Sequence, residues 1–178
     1  YMSDLVTKKL GYKDNFKFVI MENYTNFKGR AGRGEYWRFT ALYICLSTII
    51  QVLSALLSDT FLGIVFSLLS LAVSFGLLLP SIAVSVRRLH DIGKSGWMLL
   101  VSLIPLVGWF YVVYLLAKSG DEDVNEYGPV VGYETVTAEM ASETGLEPTP
   151  TSSMDKAVAI ITVVIYVVGI AIVAATTK

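Results

Sequence analysis

The sequence is poor in charged residues and nearly lacks the side chains of metal and nucleophilic chemistry. Asp, Glu, Lys and Arg make up 16% of the 178 residues, whereas soluble domains carry about 25%. His90 and Cys45 are the only histidine and cysteine, too few for a zinc site of His and Cys ligands. A formal net charge of −1 excludes the overall basic charge of a nucleic-acid-binding protein. These absences predict no metal, no cofactor, no nucleic-acid partner and no enzymatic activity.

Long uncharged runs dominate the chain instead. Four segments without Asp, Glu, Lys or Arg contain 20, 27, 23 and 21 residues, at 39–58, 60–86, 95–117 and 157–177. Each run is long enough to cross a hydrocarbon core of roughly 30 Å. The pattern predicts an all-α polytopic membrane protein with four transmembrane helices. We expect these helices at about 36–57, 61–86, 97–117 and 157–175.

The same pattern predicts the domain organisation. It has four parts: a basic, aromatic-rich leader (1–35), a three-helix membrane domain (36–118), an acidic periplasmic segment and linker (119–156), and a fourth transmembrane helix (157–178). The turn 58–60 is so short that the first two spans must form an antiparallel hairpin.

Three features interrupt this simple pattern. In the leader, Asn15 can cap a short amphipathic helix over 16–23, which lies at the membrane interface or packs on the protein's own spans. Pro80 should kink or tilt the second span. Pro105 and Gly108 should bend the third.

Basic residues indicate the orientation. Residues up to Arg38 hold eight of the fourteen Lys and Arg residues, the loop 87–94 holds three, and Lys178 is one more. In a four-span chain these twelve lie on one side and Lys118 and Lys156 on the other. The positive-inside rule then places both termini in the cytoplasm.

Charged residues flank the cytoplasmic ends of the first two spans, where the predicted hairpin brings them together. The predicted cluster consists of Arg30, Arg33, Glu35, Arg87, Arg88, His90 and Asp91. Glu35 is the natural partner of Arg88 or of Arg87, and a helix continuing past Val86 allows an Arg87–Asp91 pair at i,i+4. The cluster is either a structural ion-pair clamp, a site for lipid head groups, including anionic ones, or a substrate site.

Small residues recur at four-residue spacing in the second span. The two pairs are Ser70 with Ser74, and Ala72 with Gly76. This spacing allows two helix backbones to approach closely in lipid. We predict that this face packs against another helix.

Three segments resemble a known bacterial membrane family, the domain of unknown function 805. They are Phe27-Lys28-Gly29-Arg30-Ala31-Gly32-Arg33-Gly34-Glu35-Tyr36-Trp37, then Arg87-Arg88-Leu89-His90-Asp91-Ile92-Gly93-Lys94-Ser95-Gly96-Trp97 with Ile104-Pro105-Leu106-Val107-Gly108, and finally Asn125-Glu126-Tyr127-Gly128-Pro129. The resemblance covers about residues 24–130 and departs from the family at Gly34 and Glu126, where basic residues are common. It implies a small inner-membrane protein without an established reaction.

The spans themselves contain no acidic or basic residue. A proton-coupled or ion-coupled transporter ordinarily places an ionisable group at mid-membrane. The sequence therefore favours a scaffold or accessory subunit that associates through its transmembrane helices, with itself or with a larger membrane complex. A small oligomeric transporter or channel is the alternative.

Overall fold

The computed structural model of the protein describes residues 12–129 and 153–176. All regular structure within these residues is helical, with no β-strand. The α-helices are α1 (Tyr12–Lys17), α2 (Arg33–Leu56), α3 (Phe61–Asp91), α4 (Val107–Ala117) and α5 (Ser153–Thr176). A π-helical turn, Phe18–Glu22, continues α1, and a 3₁₀ helix, Gly96–Leu103, precedes α4. The predicted all-α class is confirmed for the described residues.

Helices α2 and α3 form the expected antiparallel hairpin, and both are long and apolar enough to cross a bilayer. The Ser54 and Ser67 hydroxyls lie 2.7 Å apart across the pair. The turn is tight because Gly63 approaches Leu57: a Cβ at Gly63 would lie 2.2 Å from the Leu57 carbonyl oxygen. A side chain at residue 63 would therefore force the two helices apart.

Helix α3 is longer than a membrane requires. Its first twenty residues, from Phe61 to Pro80, rise roughly 30 Å at 1.5 Å per residue, which matches the hydrocarbon thickness. The remaining residues to Asp91 continue beyond that length, so the helix extends five residues past the predicted end at Val86. Its last turns carry the charged cluster.

Pro80 lies inside α3 and leaves a backbone carbonyl without its usual donor. A helical carbonyl accepts from the N–H four residues later, and proline has none. The carbonyl of Gly76 instead accepts a 2.6 Å hydrogen bond from the Tyr24 hydroxyl. This bond ties the leader to α3.

The leader packs on the protein's own helices. Val19 is fully buried in a cluster with Phe39 and Val84, and Phe16 packs against that cluster. Asn15 does not cap the helix as predicted. It lies within α1, is buried, and donates from Nδ2 to the Glu35 carbonyl at 3.0 Å.

The predicted third span is not a single helix. The 3₁₀ helix and α4 are separated by a reversal in which Leu106 has φ 62°. They pack so closely that a Cβ on Gly108 would lie 1.8 Å from the Val101 carbonyl oxygen. The sequence predicted a bend here, and the chain instead turns back on itself.

Both ends of this helical hairpin lie at the carboxyl end of α3. At one end, a Cβ on Gly96 would lie 2.7 Å from Val86. At the other, the Lys118 carbonyl accepts a hydrogen bond from the Arg88 guanidinium. The predicted single span over 97–117 is therefore replaced here by two short helices whose outer ends lie together.

Residues 119–129 consequently lie at the same end as the leader. The Asp121 N–H donates to the Asp91 carbonyl at 2.7 Å. In the predicted arrangement these residues lie on the side opposite the leader, whereas here Asp121 contacts the same last turn of α3 that the leader contacts. The rest of the predicted acidic linker, 130–152, and the terminal Lys178 lie outside the described residues.

Helix α5 packs along α2. The contact is close at Gly169, where a Cβ would lie 2.3 Å from the Thr48 methyl carbon. The apolar core below the charged cluster is formed by other elements: Leu89 and Ile92 pack with three α4 residues, Val112, Leu115 and Leu116. The carboxyl end of α3 thus meets the hairpin formed by the 3₁₀ helix and α4, and the candidate site lies at this end.

Candidate functional site

The charged cluster lies where four segments meet: the leader, the start of α2, the end of α3, and the chain that follows α4. Each segment brings side chains or carbonyls because of its local fold. The Ala31 N–H donates to the Arg87 carbonyl at 2.9 Å, which fixes the leader against the last turn of α3. Gly29, with φ 78°, and Gly93, with φ 64°, reverse the chain on either side of the cluster.

Arg30 is the central connector of the cluster. Its side chain is 1% exposed, and its Nε donates to Asp91 Oδ1 at 2.9 Å. Its Nη1 donates to the Asp123 carbonyl at 2.8 Å, and its Nη2 to the Asp121 carbonyl at 2.5 Å. A longer bond of 3.4 Å reaches the Gly128 carbonyl. One guanidinium therefore joins the leader, α3 and the segment 121–128.

Arg88 performs a similar function from within α3. It is fully buried, and its Nε donates to the Leu116 carbonyl at 3.0 Å. Its two terminal nitrogens donate to Asp91 Oδ2 and to the Lys118 carbonyl. Because helix-terminal carbonyls lack intrahelical donors, Arg88 acts as the cap of α4 while pairing with Asp91.

Asp91 lies between these two cations, with its Oδ1 on Arg30 and its Oδ2 on Arg88. No side chain fits at Gly120, where a Cβ would lie 2.2 Å from Asp91 Oδ2. The carboxylate is 6% exposed. Two buried cations around one carboxylate form a compact, buried ion-pair network.

Glu35 lies against Arg87, one of the two partners that the sequence left open. Glu35 Oε1 and Arg87 Nη2 are 2.7 Å apart, and both side chains are buried. Neither of these two atoms has a hydrogen-bond partner of good geometry, so the interaction is a close charge contact. The Arg87 Nε is also buried without such a partner.

His90 packs against the segment after α4. Its ring stacks on Tyr127 with centroids 3.9 Å apart and planes inclined by 3°, and its Nδ1 lies 3.1 Å from the Gly29 carbonyl. The Asn125 amide donates to the His90 carbonyl at 2.9 Å. The pKa of the Tyr127 phenol is raised above its ordinary value, first by partial burial and second by the neighbouring Glu126. His90 therefore serves as a packing surface and carbonyl anchor in this geometry.

The other predicted site residues are Arg33 and the small-residue face of α3. Arg33 begins α2 and is half-buried. On α3, Ser70 is half-buried, whereas Ala72, Ser74 and Gly76 are exposed. A Cβ added to Gly76 would meet no atom within 4 Å. Among the described residues, the side-chain position of Gly76 is therefore open, although its carbonyl accepts from Tyr24.

Sequence reasoning missed the segment that completes the cluster. Asp121, Asp123 and Gly128 contribute backbone carbonyls, which leave no side-chain signature. Only the motif Asn125 to Pro129 signalled it: the Asn125 side chain accepts from the Tyr127 N–H, and Gly128 has φ 131°. This turn presents the Gly128 carbonyl to Arg30.

The charged cluster consists of ion pairs and of hydrogen bonds to backbone carbonyls. Within residues 12–129 and 153–176, no group of three His, Cys, Asp or Glu side chains could hold a metal ion. The guanidiniums of Arg30 and Arg88 direct all three of their nitrogens at groups of the protein itself. The arrangement can therefore hold four chain segments together.

Comparison with known proteins finds related inner membrane proteins. The chain is 34% identical over 109 residues to the inner membrane protein YhaI of Escherichia coli strain K12, covering 61% of this chain and 88% of that protein. It is 35% identical over 112 residues to the inner membrane protein YhaH of the same organism, covering 62% and 90%. No solved structure matches the chain. The family profile described as protein of unknown function (DUF805) matches residues 24–129. This region contains the whole charged cluster. The protein is therefore an integral membrane protein that belongs to the DUF805 family.

Proposed function

We propose that the protein is a non-catalytic membrane scaffold or accessory subunit, which associates through α3 with a second copy or with a larger membrane complex. One observation carries the proposal: α3 presents a membrane-length surface with a notch at Gly76, where an added Cβ would meet nothing within 4 Å. Phe61, Leu68 and Phe75 on this helix are more than 60% exposed. Small residues flanked by large apolar ones allow the close backbone approach that holds helices together in lipid.

The charged cluster supports a structural role. Arg30 and Arg88 are bonded to Asp91 and to backbone carbonyls, so their donors are directed inward. A lipid head group or anionic substrate would have to displace these bonds, and breaking a buried pair costs about 3–5 kcal/mol. This favours the clamp over the head-group and substrate alternatives.

We also propose a topology that replaces the four-span expectation. The cluster end of the protein is cytoplasmic, α2 and α3 cross the membrane, and the hairpin 96–117 enters from the cytoplasmic side and returns. The hairpin tip is apolar and exposed: Leu103 and Leu106 are each 76% exposed and Val107 is 74% exposed, as contact with lipid requires. Re-entrant backbone is tolerated in a membrane where it packs against protein, as α4 does below the cluster.

The distribution of charge supports this topology. Residues 130–152 are polar and acidic. Such a segment does not cross lipid, because each unsatisfied backbone group there costs several kcal/mol. Helix α5 then starts in the cytoplasm and ends at Thr176 on the periplasmic side, which revises the expectation that both termini are cytoplasmic. Thirteen of the fourteen Lys and Arg residues become cytoplasmic, all except Lys178. This is a stronger positive-inside asymmetry than the twelve of fourteen in the four-span arrangement.

The association is tested by Gly76→Leu. The variant should fold normally, because the new side chain meets nothing within this chain and leucine favours a helix more than glycine does. Native mass spectrometry of the full chain in gentle detergent should show an assembly for the wild type and its loss in the variant. Leu71→Phe, a bulkier side chain at another exposed site of α3, is the matched control and should leave the assembly intact.

Two results would contradict the scaffold proposal. One is a failed association test, in which the wild-type protein is monomeric without bound partners or the Gly76→Leu assembly is identical to the wild type. The other is saturable solute flux in vesicles that contain only this protein. The second result would replace the scaffold with the oligomeric transporter.

A further inference from the structure

Helix α5 takes no part in the interactions that hold the rest of the protein together. The ion pairs of the charged cluster are formed by residues of the leader, α2 and α3, and both groups of apolar core residues belong to 12–129. The helix that α5 packs against is α2. Within the described residues, the cluster and the core of 12–129 therefore do not depend on α5.

The family region also ends before α5. The profile stops at residue 129, and α5 begins at Ser153. The matches leave only about 15 residues of YhaI and about 12 of YhaH outside them, whereas a transmembrane helix needs about 20. These relatives lack room for a further helix beyond the matched part, so α5 is an addition to the family module.

The contact between α5 and α2 has the form of a helix-docking site. Ile165, Gly169 and Val173 are spaced by four residues and are less exposed than the residues beside them, which makes them one stripe of the helix. In the middle of this stripe, a Cβ on Gly169 would lie 2.3 Å from the Thr48 methyl carbon. Glycine at such a crossing allows the close backbone approach that holds helices together in lipid. A larger side chain at residue 169 would therefore separate the two helices.

The connection to α5 does not confine this helix to its own chain. Residues 130–152 number 23 and can span up to roughly 75 Å when extended. Packed helices lie only about 8–10 Å apart, so the α2 helix of an adjacent copy is within reach. What places α5 on α2 is therefore the contact itself.

We propose that the face of α2 around Thr48 is a docking surface for a single transmembrane helix with a small residue at the crossing, and that α5 is such a partner helix fused to the family module. In the native chain its own α5 fills the surface. An α5 supplied by a second copy fits the same surface when the first copy's own helix cannot dock. This docking is independent of the association through α3, because Thr48 and Gly76 lie on different helices.

Two full-length chains with complementary changes test the docking, both in a Cys45→Ala background. The receiver chain carries Thr48→Cys together with Gly169→Leu, whose side chain keeps its own α5 off the surface. The donor chain carries Gly169→Cys. The two chains have different affinity tags and are expressed in the same cells. Each contains one cysteine, so neither can form a disulfide within itself.

The geometry of the contact matches a disulfide. A Cβ at residue 169 would lie 3.5 Å from the Thr48 Cβ, within the range of about 3.5–4.5 Å found in disulfides. Mild oxidation of isolated membranes should therefore join receiver to donor, and non-reducing electrophoresis with detection of both tags measures the yield. A single chain that carries Thr48→Cys and Gly169→Cys together should close the same disulfide internally.

The matched control receiver carries Ile49→Cys in place of Thr48→Cys. Ile49 is the next residue of α2 and is 58% exposed, so a cysteine there lies at nearly the same depth but on another face. Its yield with the donor should be lower by at least about fivefold, because it cannot meet the geometry of a disulfide with residue 169. Adding Gly76→Leu to both chains removes the association through α3 and should leave the receiver–donor yield unchanged.

Four results would overturn the proposal. An internal disulfide in the double variant with no receiver–donor dimer would make α5 an ordinary part of its own chain's fold. No internal disulfide in that variant would show that α5 does not dock at Thr48. An equal yield for the Thr48→Cys and Ile49→Cys receivers would indicate random collision. Loss of the dimer in the Gly76→Leu chains would assign the contact to α3.

Discussion

Replacing Arg30 with methionine tests the clamp most sharply. The change removes a 1% exposed guanidinium that holds Asp91 and the carbonyls of Asp121 and Asp123. Breaking a buried ion pair by removing one partner costs about 3–5 kcal/mol. For a chain of 150–250 residues each kcal/mol lowers the Tm by about 2–4 °C, so we expect a decrease of roughly 6–20 °C.

The conservative variant Arg30→Lys separates charge from geometry. An ammonium retains the charge opposite Asp91 but cannot donate in the fixed fork of a guanidinium. It should lose the bonds to the carbonyls of 121–128 and show a smaller decrease in Tm than Arg30→Met. Lys94→Met removes an exposed cation from the neighbouring loop and should change stability by less than about 0.5 kcal/mol.

Amide hydrogen exchange gives the local result. In Arg30→Met the amides of 121–128 should exchange faster, whereas those of α3 between Phe61 and Pro80 remain protected. If Arg30→Met unfolds at the same temperature as Lys94→Met and exchange at 121–128 is unchanged, the reasoning about the clamp is wrong.

Two further variants test the hydrogen bond from Tyr24 to the Gly76 carbonyl and the hairpin of the 3₁₀ helix and α4. Tyr24→Phe should cost about 1 kcal/mol in thermal unfolding by removing the donor to the Gly76 carbonyl, and this cost should shrink in a Pro80→Ala background, where a backbone N–H is restored. Equal costs in both backgrounds would contradict the account. Gly108→Ala should destabilise the protein by about 1–3 kcal/mol, because its Cβ would overlap the Val101 carbonyl oxygen; an unaltered Tm would show that the two helices do not pack as described.

The uncharged runs predicted α2 and α3 well because length and hydropathy determine whether a helix can cross a membrane. The short polar turn after Leu57 leaves room only for a hairpin, which brings Glu35 near Arg87 and Arg88. These features follow from local rules of chain length and charge.

The third run shows where such rules fail. An uncharged stretch of 23 residues has the same hydropathy whether it crosses or turns back, and only Pro105 and Gly108 signal the reversal. The reversal depends on tertiary contacts: the Gly108 backbone packs against Val101, and Arg88 caps the end of α4 at Leu116. The backbone acceptors that complete the cluster were likewise invisible, because any residue supplies a carbonyl.

Cysteine labelling of the two membrane sides tests the central claim, that the leader and residues 119–129 lie together. In a Cys45→Ala background, single cysteines replace Lys28, Asp59 and Glu122, and a membrane-impermeant maleimide is added to intact spheroplasts or to inverted vesicles. We predict that Asp59→Cys is labelled in spheroplasts, and that Lys28→Cys and Glu122→Cys are labelled together in inverted vesicles. Labelling of Glu122→Cys together with Asp59→Cys would contradict the re-entrant hairpin and restore a third crossing.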